Sequence, residues 1–256
     1  MKIAGKVCVI TGGASGIGRE LACRFKKEGA KGIAIADMNE QGLKETAEMM
    51  GGLPVVTDVT KEADIQNLIA KAEEAFGDID IFVSNAGIVR PGDENATDEM
   101  WDLNWNIHVK SHIYAARAMV PKMTARGGGY LVNTASAAGL LHQVDSATYG
   151  VTKHAAVSFA EWISIRYHHK GIRVSVLAPQ AVDTPMIAER KGGVASIDGV
   201  ATTEHLADCV VETMDKEEFL ILPHAEVREY LKRKTSDYDR WLHGMRKYRA
   251  RFYPDD

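Results

Sequence analysis

Short runs of aliphatic and β-branched residues alternate along the chain with longer stretches in which apolar positions recur every three or four residues. The runs KVCVIT, GIAIAD, LPVVTD, DIDIFVSN, YLVNTA, IRVSVLAP and EFLILP predict seven strands. Between them the helical period predicts helices over 16–28, 40–50, 62–76, 100–124, 149–169 and 204–214. Strands that are apolar throughout and separated by helical crossovers imply an α/β fold, a doubly wound parallel sheet of seven strands with helices on both faces.

No internal repeat, low-complexity tract or Pro/Ser-rich linker divides the chain, so 1–223 reads as one domain. Two stretches escape the alternation. Residues 180–203, rich in Gly and Pro, read as a binding loop or lid. Residues 224–256 place Tyr238, Trp241, Leu242, Met245, Tyr248 and Phe252 at spacings of three and four, which predicts an amphipathic C-terminal helical tail packed on the domain or on a partner subunit. Ser236 followed by Asp239 resembles a capping box for that helix, and Lys232, Arg233 and Lys234 read as a solvated face.

Composition narrows the classes. With 45% hydrophobic and 26% charged residues in 256, the chain has apolar side chain enough for a core. A formal charge of -4 gives no reason to expect nucleic acid or an acidic membrane surface as partner, which leaves small molecules. No apolar run approaches the roughly 18 residues of a membrane span. Cys8, Cys23 and Cys209 form no CxxC pair and sit in hydrophobic stretches, so a reducing cytoplasm is expected and no metal site is read.

The first strand runs into Thr11, Gly12, Gly13, Ala14, Ser15, Gly16, Ile17 and Gly18, and a helix follows at once. Glycines there allow a tight turn and bring backbone N–H groups to a pyrophosphate at a helix N-terminus. The second strand ends in Asp37, 21 residues past Gly16, where a carboxylate can accept from an adenosine ribose. A ribose phosphate would be repelled by that carboxylate, and Met38, Asn39 and Glu40 supply no cation, so NAD is expected over NADP. The loop lacks the Lys and Ser/Thr that close a phosphate-binding kinase loop.

Tyr149 and Lys153 stand four apart on one predicted helix face. A neighbouring cation favours phenolate and would lower a tyrosine from its usual value near 10, which suits exchange of a proton with an alcohol or carbonyl oxygen. Ser136, thirteen residues earlier at a strand end, supplies a hydroxyl able to hold that oxygen.

In these motifs the sequence resembles the short-chain dehydrogenase/reductase family, in its single-domain Rossmann-type form of about 250 residues. The resemblance rests on TGGASGIG at 11–18, Asp58 with Val59, Asn85 to Gly87, Asn106, Ser136, YGVTK at 149–153 and PQAVDTP from Pro179. It implies Tyr149 as acid/base, Lys153 as its electrostatic partner and a ligand of the nicotinamide ribose, Ser136 as donor to the substrate oxygen, and Asn106 in a water relay behind Lys153. It further implies that Gly12, Ser15, Gly16, Ile17, Gly18, Asp37, Met38, Asp58, Val59, Asn85, Gly87, Val182 and Thr184 hold the cofactor. Two places depart from the family pattern: Gln180 stands where glycine is usual, and LPHAEV with the aromatic tail replaces the usual ending.

The expected activity is therefore NAD-dependent interconversion of a secondary alcohol and a ketone by a homodimer or homotetramer. Pocket walls are expected from 140–144, 95–101 and the segment around Met186 and Ile187, with His142 and Gln143 as polar exceptions; mostly apolar walls suit a medium-sized hydrophobic or alicyclic substrate. Two alternatives remain at this level: carbonyl reduction with NADH as the physiological direction, and a non-catalytic NAD-binding regulator, which would not need Ser136, Tyr149 and Lys153 together.

Overall fold

A computed structural model describes residues 1–190 and 193–254. Seven strands, β1 (Val7–Thr11), β2 (Gly32–Asp37), β3 (Leu53–Val56), β4 (Ile81–Ser84), β5 (Gly129–Thr134), β6 (Ile172–Leu177) and β7 (Leu220–Ile221), form one sheet in the order β3-β2-β1-β4-β5-β6-β7. All six neighbouring pairs are parallel. The inner strands are mostly apolar because alternate side chains enter two separate cores. On one face Ile10, Ile35, Val83, Tyr130 and Leu177 pack with Leu21, Phe25, Leu43, Leu206 and Val210, from α1 (Gly16–Lys27), α2 (Glu40–Met50) and α7 (Thr203–Lys216). On the other, Val9, Phe82, Leu131, Val174 and Val176 meet Leu68, Met119, Ala156 and Ile163, from α3 (Glu62–Phe76), α5 (Ser111–Ala125) and α6 (Ala147–Tyr167). Each fully buried Leu, Ile or Phe contributes about 1.5–3 kcal/mol, so both faces demand helices.

The order reverses at β1, whose neighbours are β2 and β4. Connections leaving β1 and β4 therefore run to opposite faces and open a crevice at the carboxyl ends of the strands.

The helix expected over 100–124 is three elements: α4 (Asp98–Trp105), a π-helical turn (Asn106–Lys110) and α5. Ser111 donates its N–H to the Asn106 carbonyl five residues back, so the turn holds one residue more than an α-turn. The tail is α8 (Glu226–Ser236) and α9 (Tyr238–Phe252) rather than one helix. The side chain that caps α9 is Asp237, which accepts from the Arg240 N–H at 3.0 Å, whereas the Ser236 hydroxyl turns back to donate to the Arg233 carbonyl. Val227 is fully buried in the second core, and Tyr230, Leu231 and Trp241 pack against it. Lys234 does not belong to a solvated face: it is 9% exposed, and its Nζ donates to the Leu140 carbonyl at 2.6 Å. Residues 191–192 of the expected loop and 255–256 of the tail lie outside the described residues. Among the described residues no helix is long and apolar enough to cross a membrane.

Candidate active site

A cleft of about 260 Å³ lies at the crevice and runs from the N-terminus of α1 to the segment 193–196. Its nucleotide end is built from close backbone approaches. A Cβ on Gly18 would sit 2.0 Å from the Gly12 carbonyl oxygen, and one on Gly12, at φ +70°, would meet the Ala86 Cα at 2.9 Å. Only glycines let the β1–α1 turn lie this close to the end of β4. Ser15 precedes α1 without capping it through its side chain, so the first-turn N–H groups face the cleft free of a side-chain acceptor. Asp37 sits at the end of β2 beside them and accepts from the Ala14 N–H at 3.2 Å and the Asn39 N–H at 3.0 Å.

The middle of the cleft is held by a threonine pair that the sequence did not single out. Thr11 Oγ1 accepts from the Asn85 N–H (2.9 Å) and the Ala86 N–H (3.1 Å), and the Asn85 side chain donates to the Thr11 carbonyl and accepts from Thr134 Oγ1. Asn85 thereby ties the ends of β1, β4 and β5 together while lining the cleft.

At the far end α6 delivers Tyr149 and Lys153, and the turn after β5 delivers Ser136. Ser136 Oγ accepts from the Ala138 N–H at 3.1 Å, donates to the Pro179 carbonyl at 3.3 Å, and lines the cleft together with Tyr149. Lys153 is 3% exposed; its Nζ donates to the Thr134 carbonyl at 3.2 Å and lies 5.6 Å from the centre of the Tyr149 ring. The cation was expected to lower the phenol. Burial acts the other way at both groups: it pushes the Tyr149 phenol up, the Ser136 hydrogen bond opposing, and brings the Lys153 amine down to about 7.

Behind this pair stands His108, on the π-helical turn. Its Nδ1 is 2.9 Å from Thr152 Oγ1, its Nε2 is 3.0 Å from the Ile88 carbonyl, and its ring meets the Tyr149 ring edge-on at 5.4 Å. Burial first, and then the charge of Lys153, bring it down to about 2. One α-helical turn on, His112 is buried with both ring nitrogens unpartnered among the described residues, and burial brings it down to about 3. The sequence did not flag either histidine, because both fall on a buried face where an imidazole reads as a packed core residue.

Of the expected site residues, Gly12, Ser15, Gly16, Ile17, Asp37, Asn85, Gly87, Ser136, Tyr149, Lys153, Val182 and Thr184 line the one cleft. Five stand back from its wall. Gly18 packs behind the turn, Met38 is 69% exposed, and Val59 belongs to the core at 7%. Asp58 spends its carboxylate on the Thr60 N–H and hydroxyl and on Lys61. Asn106 begins the π-helical turn. Of the expected substrate walls, Gln143, Met186 and Ile187 line the cleft; 95–101 does not, and Ile88, Val89 and Pro91 take its place. Leu140 and Leu141 are core residues, and His142 is exposed with its ring against His154 at 5.5 Å.

Comparison with known proteins places this geometry among relatives. The family model described as short chain dehydrogenase matches residues 6–194. The chain is 34% identical over 193 residues to 2,5-dichloro-2,5-cyclohexadiene-1,4-diol dehydrogenase of Sphingobium indicum, covering 73% of this chain and 77% of that protein. It is 31% identical over 260 residues to 1-deoxy-11-beta-hydroxypentalenate dehydrogenase of Streptomyces exfoliatus, covering 95% and 91%. Among solved structures, a short chain dehydrogenase/reductase from Burkholderia phymatum in complex with NAD superposes with a TM-score of 0.85 at 27% identity, covering 93% of this chain and 96% of that one. L-sorbose reductase from Gluconobacter frateurii, complexed with NADPH and L-sorbose, superposes with a TM-score of 0.76 at 29% identity, covering 87% and 97%.

Proposed function

Because the chain belongs to the short-chain dehydrogenase family, we propose that this oxidoreductase interconverts a secondary alcohol and a ketone with NAD. The observation that carries the reading is the meeting of Ser136, Tyr149 and Lys153 at one end of a cleft whose other end is an uncapped helix N-terminus beside Asp37.

The cleft fits a dinucleotide. Side chains are excluded where Gly12 and Gly18 close the turn, so backbone N–H groups of α1 would meet the pyrophosphate and Asp37 the adenosine ribose. Lys153, with Val182 and Thr184, would hold the nicotinamide half. Bound there, the oxidised cofactor supplies the hydride acceptor. The Asp37 carboxylate, with no cation in the next three residues, supports NAD over NADP.

The protein's own part is proton handling. Ser136 Oγ and the Tyr149 side chain line the same end of the cleft, so a substrate oxygen placed between them would find a hydroxyl donor in Ser136 and, in the ionised Tyr149, a base. In oxidation the ionised Tyr149 would take the alcohol proton as the C–H hydride leaves; in reduction the neutral phenol would give that proton to the carbonyl oxygen. Lys153 stands 5.6 Å from the centre of the Tyr149 ring, where its ammonium form would favour the phenolate that accepts the proton. Asn106, at the start of the π-helical turn, would belong to the relay that returns the proton to solvent.

Val89, Pro91, Met186 and Ile187 make the substrate end mostly apolar. Together with the names of the two dehydrogenase relatives, one a cyclohexadiene diol and one a pentalenate, this supports a ring-borne secondary alcohol of medium size. The exposed Trp162 and Ile165 of α6 support a homo-oligomer formed through the long helices.

The test is NADH formation at 340 nm over a panel of aliphatic, alicyclic, aromatic and steroid secondary alcohols, with NAD and NADP in parallel. We expect turnover of alicyclic members with NAD, and a loss of about 10²- to 10⁴-fold in Tyr149→Phe with NAD binding intact. Equal turnover in that variant would sink the mechanism.

A further inference from the structure

Gln180, where the family pattern usually has glycine, lines the cleft and is held from outside it. Its backbone N–H donates to His224 Nδ1 at 3.3 Å, and its side-chain Nε2 donates to Asp198 Oδ2 at 2.9 Å. The other oxygen of Asp198 accepts from the Tyr230 hydroxyl at 2.9 Å, and Tyr230 belongs to α8. A carboxylate accepts only, so Asp198 decides which end of the Gln180 amide faces it, and the Tyr230 bond decides where that carboxylate stands.

The chain continues on both sides. Tyr248 of α9 donates to the Val194 carbonyl at 2.6 Å, one residue from Ala195, whose carbonyl accepts from the Ala181 N–H at 3.0 Å. On the opposite wall, Lys234 of α8 donates to the Leu140 carbonyl at 2.6 Å, and the Tyr253 hydroxyl lies 3.4 Å from Asp145 Oδ2, in the segment that carries Gln143 and Ser146 into the cleft. The C-terminal helices thus grip both walls of the substrate end, although none of their residues is in the cleft lining.

The inner cluster is not fully satisfied. Gln180 Oε1 and His224 Nε2 are buried without a hydrogen-bond partner among the described residues. Such a cluster is held in one arrangement by the bonds it does make, so the loss of one is felt at the others.

We propose that Tyr230 is a positioning residue for substrate recognition, acting through Asp198 to orient the Gln180 side chain in the wall of the substrate pocket. This rests on the dehydrogenase reading for its kinetic consequence and on the geometry alone for its structural one. Tyr230 reaches the cleft through Asp198 and Gln180 and is not itself in the cleft lining, so its effect is expected on substrate affinity and not on nucleotide binding. The substrate preference of this chain is then written partly in its tail, where it departs from the family ending.

Tyr230→Phe removes the hydroxyl and keeps the ring. The expected result is a KM for the alcohol raised about tenfold, the size of one charge-assisted hydrogen bond, with kcat changed far less and the NAD dissociation constant unchanged by calorimetry. A double-mutant cycle with Gln180→Ala reads the route: Tyr230→Phe adds nothing in the Gln180→Ala background if the two act as a unit. Amide exchange over 193–203 reads the same contact without turnover, and is expected to speed up in Tyr230→Phe. An unchanged KM, additive effects in the cycle, NAD affinity that falls in step with KM, or unchanged exchange would each overturn the proposal. If the wild-type protein turns over no alcohol, it is the dehydrogenase reading that fails, and the exchange measurement decides this inference by itself.

Discussion

Lys153 is an amine taken out of water with a single backbone carbonyl as its hydrogen-bond partner. No carboxylate among the described residues pairs with it, and burial alone accounts for its descent from 10.5 to about 7. The sign of the stability effect follows from the proton count. Between about 7 and 10.5 the unfolded chain holds a proton that the folded chain has released, so folding gains from this group as pH rises through that window, and the cost of burying the ammonium is complete below 7. Lys153→Met is therefore expected to abolish turnover and yet to melt higher than the wild type without nucleotide, by at least about 2 °C at pH 6. That advantage should shrink as pH rises toward 9. Thermal melts of both proteins across the range check it, and a gap that does not vary with pH would show that the amine is not buried as a charge. This residue trades stability for function.

At the scale of elements, the β1–α1 turn shows how tightly a motif can be specified. Gly18 lies in the first turn of α1 with no room for a methyl group: a Cβ would stand 2.0 Å from the Gly12 oxygen and 2.8 Å from Asn85 Nδ2. Gly18→Ala is expected to push α1 off the end of β1, to weaken NAD binding at least tenfold by calorimetry, and to lower the melting temperature by several degrees. Unimpaired binding would contradict the backbone cradle. This turn was legible in the sequence because its chemistry is local. The π-helical turn was not, since one extra residue leaves the apolar spacing on either side intact, and 100–124 reads as a single helix. The consequence reaches the cleft: His108, on the widened turn, meets Tyr149 and Thr152, a contact that neither helix period nor motif spacing encodes. The split of the tail into α8 and α9 has a similar cause, because Ser236 and Asp237 are both acceptable caps by type and only the backbone geometry selects Asp237.

For the whole molecule, the two-faced sheet sets both the site and the surface. Reversal of strand order at β1 places the cleft at the carboxyl ends, and the long α6 leaves two large apolar side chains uncovered, Ile165 82% and Trp162 52% exposed. Large exposed aliphatic and aromatic side chains one turn apart on one helix suit a second copy of the chain. Ile165→Glu is expected to shift the sedimentation velocity profile to monomer while the fold is kept; an unchanged assembly would remove α6 from the interface.

The order of strands and helices, the dinucleotide turn, Asp37 and the Tyr149–Lys153 spacing could all be read along the chain, because each depends on residues within a few turns of one another. Which distant groups would meet could not. That Ser136 reaches Tyr149, that Thr134 holds Lys153, that Lys234 is buried against Leu140, and that Tyr230 reaches Gln180 through Asp198 are outcomes of packing. Local periodicity carries the conformation of each element, whereas these contacts join elements tens of residues apart and exist only once both cores have closed around the sheet.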